Sequence, residues 1–256
     1  MIPKIIHYCW LSEDVYPENI KRCLESWKVK LPDYEIKLWN LKNEAVRSSA
    51  WVQEAFAQKK YAFAADYIRF YALYHYGGIY LDSDVEVLKD FGELLNLPYF
   101  MGLDSFGLIE AAVLGCEAEN PWIKQCLDYY KDRHFVLNDG SLDTTTLPEI
   151  MKAIIDRNYK LTLIDLSHSS YGFDDCLYIH PYTFFSPKRH DTGQICRKEH
   201  TYTIHHYAMS WIPYRIRLFV QLKRLLMIVF GTELIEYVIR TFSLRTMKNR
   251  ILSKNK

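Results

Sequence analysis

The sequence predicts an α/β fold, and three observations predict it. Short apolar, β-prone runs at residues 2–10, 35–39, 79–81, 98–103 and 108–114 are separated by stretches with helical spacing at 18–28, 52–58, 61–76, 121–131 and 149–157. Residues 57–76 contain no Gly or Pro and end at Gly77-Gly78, a helix stop followed at once by Ile79-Tyr80-Leu81. That strand runs directly into Asp82-Ser83-Asp84, two carboxylates flanking one small residue. Carboxylates spaced in this way can hold a hard divalent cation and leave positions open for phosphate oxygens.

The elements follow in order. Pro17 precedes the first helix, and residues 35–39 form the second strand. The helix at 61–76 carries Phe63, Tyr67, Phe70 and Tyr74 as one stripe, with Ile68 and Ala72 beside it. Asp66 and Arg69 are three apart and share a face of this helix. Two readings stand side by side: a partly buried ion pair that satisfies itself, or a pair aimed into a cleft to bind sugar hydroxyls or phosphate. Pro121 suits the first turn of a helix. The polar loop at 139–148 offers hydroxyls either to a sugar or to the helix start that follows it. The chain has no internal repeat, low-complexity tract or flexible linker.

Composition bounds the function. The chain has 256 residues, enough for one sizeable core. Its formal charge of +1 does not suggest a nucleic-acid partner. Six cysteines show neither Cys-x-x-Cys nor zinc spacing and read as reduced thiols. The opening residues do not read as a signal peptide, because Pro3 and Lys4 come before a short strand. Cytoplasmic placement is therefore expected, with the inner face of the plasma membrane as the alternative.

The block from Ala65 through Asp84 (ADYIRFYALYHYGGIYLDSD) resembles the Asp-x-Asp sugar-binding region of glycosyltransferase family 32, which includes capsular-polysaccharide and α-mannosyl enzymes. The clostridial glucosylating toxins are similar at a greater distance. The opening Ile2-Pro3-Lys4-Ile5-Ile6-His7-Tyr8-Cys9-Trp10 is similar to the family's first strand, and His205-His206-Tyr207-Ala208-Met209-Ser210-Trp211 to its closing motif.

The resemblance implies a GT-A-type nucleotide-diphosphosugar fold, a Rossmann-like mixed sheet flanked by helices, over residues 1–213. It implies that Trp10 stacks on the nucleotide base and that Asp66 and Arg69 contact donor sugar and diphosphate. Tyr80 lies against the donor, Asp82 reaches the ribose or a metal-bound water, and Asp84 ligates Mn²⁺ or Mg²⁺ directly. One of His205 and His206 completes the coordination sphere; adjacent strand residues point to opposite faces, and His205 is preferred. Ser210 and Trp211 hydrogen-bond the diphosphate. Together these imply a metal-dependent, retaining glycosyltransferase that uses a nucleotide-sugar donor, with UDP-sugars preferred. The expected acceptor is a glycan or lipid-linked oligosaccharide in surface-polysaccharide assembly.

Residues 214–256 form a separate amphipathic extension, expected as two helices around Gly231. They either pack on the body or contact an anionic membrane peripherally; the apolar run at 225–230 is too short to span one. Two other functional classes remain at this stage. A haloacid-dehalogenase-like phosphohydrolase also uses Asp-x-Asp, but near the start of its domain. A catalytically silent sugar-nucleotide- or glycan-binding protein would bind donor without transfer.

Overall fold

The computed structural model describes residues 1–12, 14–164, 176–208 and 214–242. The chain divides into two compact units, one of Met1–Lys188 with Cys196–Trp211 and one of Arg189–Ile195 with Ile212–Lys256.

The first unit opens with β1 (Ile5–Cys9), α1 (Glu18–Lys30), β2 (Glu35–Trp39), the short α2 (Glu44–Arg47), α3 (Ala50–Ala57) and α4 (Tyr61–Tyr76). It continues with β3 (Gly78–Leu81), β4 (Val85–Val87), β5 (Tyr99–Leu103), β6 (Ile109–Cys116), α5 (Pro121–Asp128), α6 (Leu147–Asn158), β7 (Lys160–Leu163), β8 (Cys176–Ile179) and β9 (Thr203–His205). Five strands form one sheet in the order β2-β1-β3-β6-β5. β1 runs parallel to β2 and β3, and β6 runs antiparallel to β3 and β5. This is the mixed sheet flanked by helices that the sequence leads one to expect.

Two apolar clusters cover the sheet. One gathers Trp39, Trp51, Phe70, Trp122 and Phe135 with α3 to α6. The other gathers Trp27, Phe91, Phe100, Phe185 and Tyr202. The join between α4 and β3 fixes the centre of the sheet. Gly77 and Gly78 have φ of 61° and 97°, a region L-residues avoid. A Cβ on Gly78 would stand 2.6 Å from the Ile5 carbonyl oxygen. Only a glycine lets β3 lie this close to β1, with Ile79 beside Ile6.

A buried histidine locks the same corner. His7 Nε2–H donates to the Gly77 carbonyl at 2.8 Å, and the Trp39 indole N–H donates to His7 Nδ1 at 3.1 Å. An indole can only donate, so the imidazole is neutral with its proton on Nε2. Burial, reinforced by Lys37, lowers its pKa to about 4.

Some boundaries differ from expectation. The helix expected over 121–131 stops at Asp128, after which Tyr130 N–H turns back to the Leu127 carbonyl. The helix expected over 149–157 begins two residues earlier, at Leu147, with a reciprocal Thr146–Glu149 cap. The loop acids before it accept local backbone amides, Asp139 that of Ser141 and Asp143 that of Thr145. In the second unit, α7 (Tyr214–Phe230) and a helix over 232–242 flank Gly231, whose φ is 85°.

Candidate active site

The site grows from the end of β3. Asp82 N–H donates to the Ala112 carbonyl at 2.9 Å, continuing the β3–β6 ladder by one residue. The chain then turns, with Val85 N–H returning to the Asp82 carbonyl, and enters β4. β4 pairs antiparallel with β9, which sets Val85 opposite His205. A turn of three residues and one two-stranded ribbon thus bring residues 82, 84 and 205 together from distant parts of the sequence. Asp82, Asp84 and His205 each offer one ligand atom, and these atoms lie within 4.8 Å of one another.

His205 is held between two carboxylates. Its Nε2 lies 3.3 Å from Asp84 Oδ1 and its Nδ1 3.3 Å from Glu110 Oε2. Burial alone would lower the imidazole pKa, but Asp84 and Glu110 outweigh it and hold the ring well above its ordinary range. Burial likewise pushes the two carboxylates up, and the facing imidazole overcomes it, leaving each at about 2. Asp84 also accepts the Ala208 N–H at 2.7 Å, and its own carbonyl accepts the His206 N–H at 3.1 Å. The His206 ring points elsewhere, to Glu86 at 2.8 Å.

α4 supplies the neighbouring cation. Asp66 and Arg69, one turn apart, are both buried. The Arg69 guanidinium donates to the Ala111 carbonyl, meets Asp82 Oδ1 at 3.1 Å and lies 3.5 Å from Asp66 Oδ1. Burial raises Asp66 to about 7 in spite of Arg69. The pair forms a buried ion pair of its own and also reaches the Asp-x-Asp turn through Arg69. Asp82 is the most open member, its side chain 29 % exposed against 14 % for Asp84 and 12 % for His205.

Other expected residues fall differently. Tyr80 is 1 % exposed, and its ring lies 4.4 Å from the Arg69 guanidinium carbon. In this position the Tyr80 ring supports the Arg69 guanidinium. Trp10 follows β1, half-buried, with its indole N–H on the Asp14 carbonyl at 3.0 Å and its ring 4.7 Å from that of Tyr16. Ser210 and Trp211 lie outside the described residues.

Glu110 went unread in the sequence. It is the one charged residue in the buried strand β6, and a lone acid in an apolar strand is the signal that marks it. It accepts the Ala112 N–H at 2.9 Å and the Tyr207 hydroxyl at 2.9 Å, in addition to facing His205.

Residues 17–101 match the glycosyltransferase sugar-binding region containing the DXD motif. Over 196 residues the chain is 29 % identical to a mannosyl phosphorylinositol ceramide synthase of Saccharomyces cerevisiae, covering 73 % of this chain and 50 % of that protein. Over 128 residues it is 32 % identical to inositol phosphoceramide mannosyltransferase 3 of Schizosaccharomyces pombe, covering 48 % and 36 %. An uncharacterized glycosyltransferase of Acanthamoeba polyphaga mimivirus is 25 % identical over 246 residues, 90 % of this chain and 92 % of that one. Among solved structures, the PaToxG glycosyltransferase aligns over 61 % of this chain and 68 % of its own, with 19 % identity and a TM-score of 0.43. The chain is similar to glycosyltransferases that carry this Asp-x-Asp region, and the match to the region itself covers residues 17–101. It spans half the length of the first of the two yeast relatives and 36 % of the second.

Proposed function

We propose that this chain is a divalent-metal-dependent, retaining glycosyltransferase. It moves a hexose or N-acetylhexosamine from a nucleotide diphosphosugar, preferably a UDP-sugar, to a glycan or lipid-linked acceptor. The observation that carries this reading is the meeting of Asp82, Asp84 and His205 beside Arg69.

The residues fit a cation. Four carboxylates, Asp66, Asp82, Asp84 and Glu110, surround two basic groups, Arg69 and His205, so the cluster is rich in negative charge. Asp82, Asp84 and one nitrogen of His205 would hold Mn²⁺ or Mg²⁺, and the single imidazole leans toward Mn²⁺ over an all-oxygen magnesium shell. When bound, the ion supplies positive charge against the leaving nucleoside diphosphate.

The chain's own residues do the rest. Arg69, pinned by Asp66, Asp82 and the Tyr80 face, is a preorganised positive charge for the same phosphates. Ser210 and Trp211 add neutral donors, and Trp10 offers an indole face to the base. Same-face attack by the acceptor hydroxyl needs no protein nucleophile, and the departing phosphate takes the proton. The two yeast relatives are named for mannosyl transfer to inositol phosphoceramide, so mannose donors and phosphoinositol lipids join UDP-sugars and glycans in the screen. Surface-polysaccharide assembly is the proposed setting, and six unpaired thiols suit a reducing cytoplasmic compartment.

The test is a donor screen by thermal shift with Mn²⁺ and Mg²⁺, followed by transfer assays with NMR of the product linkage. The reading expects metal-dependent donor stabilisation, transfer abolished by chelator, and retained anomeric configuration. Transfer that persists in chelator overturns the metal site, and an inverted linkage overturns the mechanism.

A further inference from the structure

Two consecutive helices of the second unit turn their apolar sides outward. On α7, Leu218, Phe219, Leu222, Leu225, Leu226 and Val229 are all exposed. Their spacing of 0, 1, 4, 7, 8 and 11 residues defines one face of an α-helix. The opposite side carries Met227, which is buried, and Arg224, whose Nε–H donates to the His190 carbonyl at 3.1 Å. The helix over 232–242 repeats the pattern. Leu234, Tyr237, Val238 and Phe242 are exposed around one side, while Glu233, Glu236 and Arg240 occupy the other. A helix packed into a protein core directs such a stripe inward; these two present it to solvent.

Charge separates along the chain in the same place. Residues 214–256 hold ten Lys and Arg against Glu233 and Glu236. The whole chain has 32 basic and 31 acidic residues, so residues 1–213 are left with 22 basic against 29 acidic. The near-neutral total conceals an acidic body and a strongly basic extension.

We infer that residues 214–242 dock on the surface of an anionic lipid bilayer, their apolar faces lying in the interfacial layer and their basic residues meeting the headgroups. A second copy of the chain could also cover the apolar stripe, but it would set one basic extension against another. An anionic surface is the partner whose charge complements this one. The contact is interfacial: among the described residues no helix is long and apolar enough to cross a membrane, and Lys223 and Arg224 interrupt α7 near its middle. The inference goes beyond the transfer reading and stands apart from it, since binding requires neither donor nor metal.

Flotation of the full chain with phosphatidylcholine vesicles, with and without phosphatidylglycerol, tests this in chelator. Partition onto the anionic vesicles is expected to exceed that onto neutral ones by about tenfold or more and to weaken as salt rises. Leu222→Glu combined with Leu226→Glu should cut the partition by about tenfold or more with an unchanged melting temperature, because both side chains are already exposed. Phe242→Glu is an independent variant on the second helix, with the same expected direction. Three results would each overturn the inference: no flotation of the unmodified chain, equal partition onto neutral vesicles, or a lipid-free dimer in sedimentation that these substitutions disperse.

Discussion

Glu110 Oε2 lies 3.3 Å from His205 Nδ1, while the other ring nitrogen of His205 lies 3.3 Å from Asp84 Oδ1. The imidazole is thus gripped from behind by a buried carboxylate and presented forward to the Asp-x-Asp turn. A carboxylate behind a metal-binding histidine fixes its tautomer and raises its basicity, and such partners are worth about 10–100-fold in metal affinity. Glu110→Gln keeps the side-chain volume and removes the charge. It is expected to weaken Mn²⁺ binding by that factor, with transfer recovering as metal is raised. A metal titration of donor-induced stabilisation measures it, and an unmoved midpoint would show that Glu110 serves packing alone.

Asp84 has two tasks in the structure, where its sequence context suggested one. It faces His205, and it also accepts the Ala208 N–H at 2.7 Å. Asp84→Ala would leave that amide without its acceptor, at about 1–3 kcal/mol. Asp84→Asn retains an acceptor oxygen and is the cleaner probe. Metal-dependent transfer by Asp84→Asn should fall by about 10²-fold or more, the scale seen when charge stabilisation at a reacting centre is lost. Activity near the parent level at saturating Mn²⁺ would place the metal elsewhere.

Much of this site was legible before the structure, and what was missed has a physical reason. The α4–Gly–Gly–β3 passage is written in local terms: apolar spacing, two glycines with positive φ, a short buried strand. Asp66, Arg69, Asp82 and Asp84 lie within it or follow directly. The strands β4, β7 and β8 are only three or four residues long, and no periodicity develops over that length. Glu110 belongs to the site through a long-range pairing of β6 with β3, which no local pattern encodes. The burial of Tyr80 was hidden for the same reason, since it depends on what covers β3 from both sides.

Arg69 should matter for stability as much as for chemistry. It is 4 % exposed, contacts Asp66 and Asp82, and donates to the Ala111 carbonyl. Removing one partner of a buried ion pair strands the others, at about 3–5 kcal/mol. Arg69→Ala is expected to lose that much in denaturant unfolding, and Arg69→Lys to recover only part of it, because one ammonium cannot serve all three acceptors in the guanidinium's fixed geometry. A loss below about 1 kcal/mol would contradict the buried network.

The glycine at the head of β3 should tolerate no side chain. Gly78 has φ of 97°, and an added Cβ would stand 2.6 Å from the Ile5 carbonyl oxygen. The obstacle is backbone of the adjacent strand, so it cannot swing aside as a flexible side chain would. Gly78→Ala is expected to cost roughly 2 kcal/mol or more, combining the positive-φ penalty with the shift forced on β1. Because β3 leads into Asp82, metal binding should weaken in the same variant even where it remains folded.

His7 predicts how stability falls toward acid. Its pKa drops from 6.5 to about 4 on folding, chiefly through burial. Between these values the unfolded chain takes up a proton that the folded chain refuses, so stability falls as pH falls through this window. The contribution is intact above pH 6.5, and by pH 4 the loss amounts to about 3 kcal/mol. His205 acts in the opposite sense: its folded pKa is raised, so its contribution is complete below 6.5 and cannot produce the fall. Asp84 and Glu110 titrate near 2 when folded, so their contributions are lost mainly below about pH 4. His180, also buried and lowered to about 4, adds to the same slope, whereas Asp66, raised by burial from 3.8 to about 7, opposes it over this range. His7→Gln can still donate to Gly77 and accept from Trp39 but does not titrate. Denaturant unfolding from pH 7 to pH 4 should therefore show a slope smaller by about one proton in His7→Gln than in the parent. Parallel profiles would mean that His7 becomes charged within the fold, against the Trp39 indole N–H that occupies its second nitrogen.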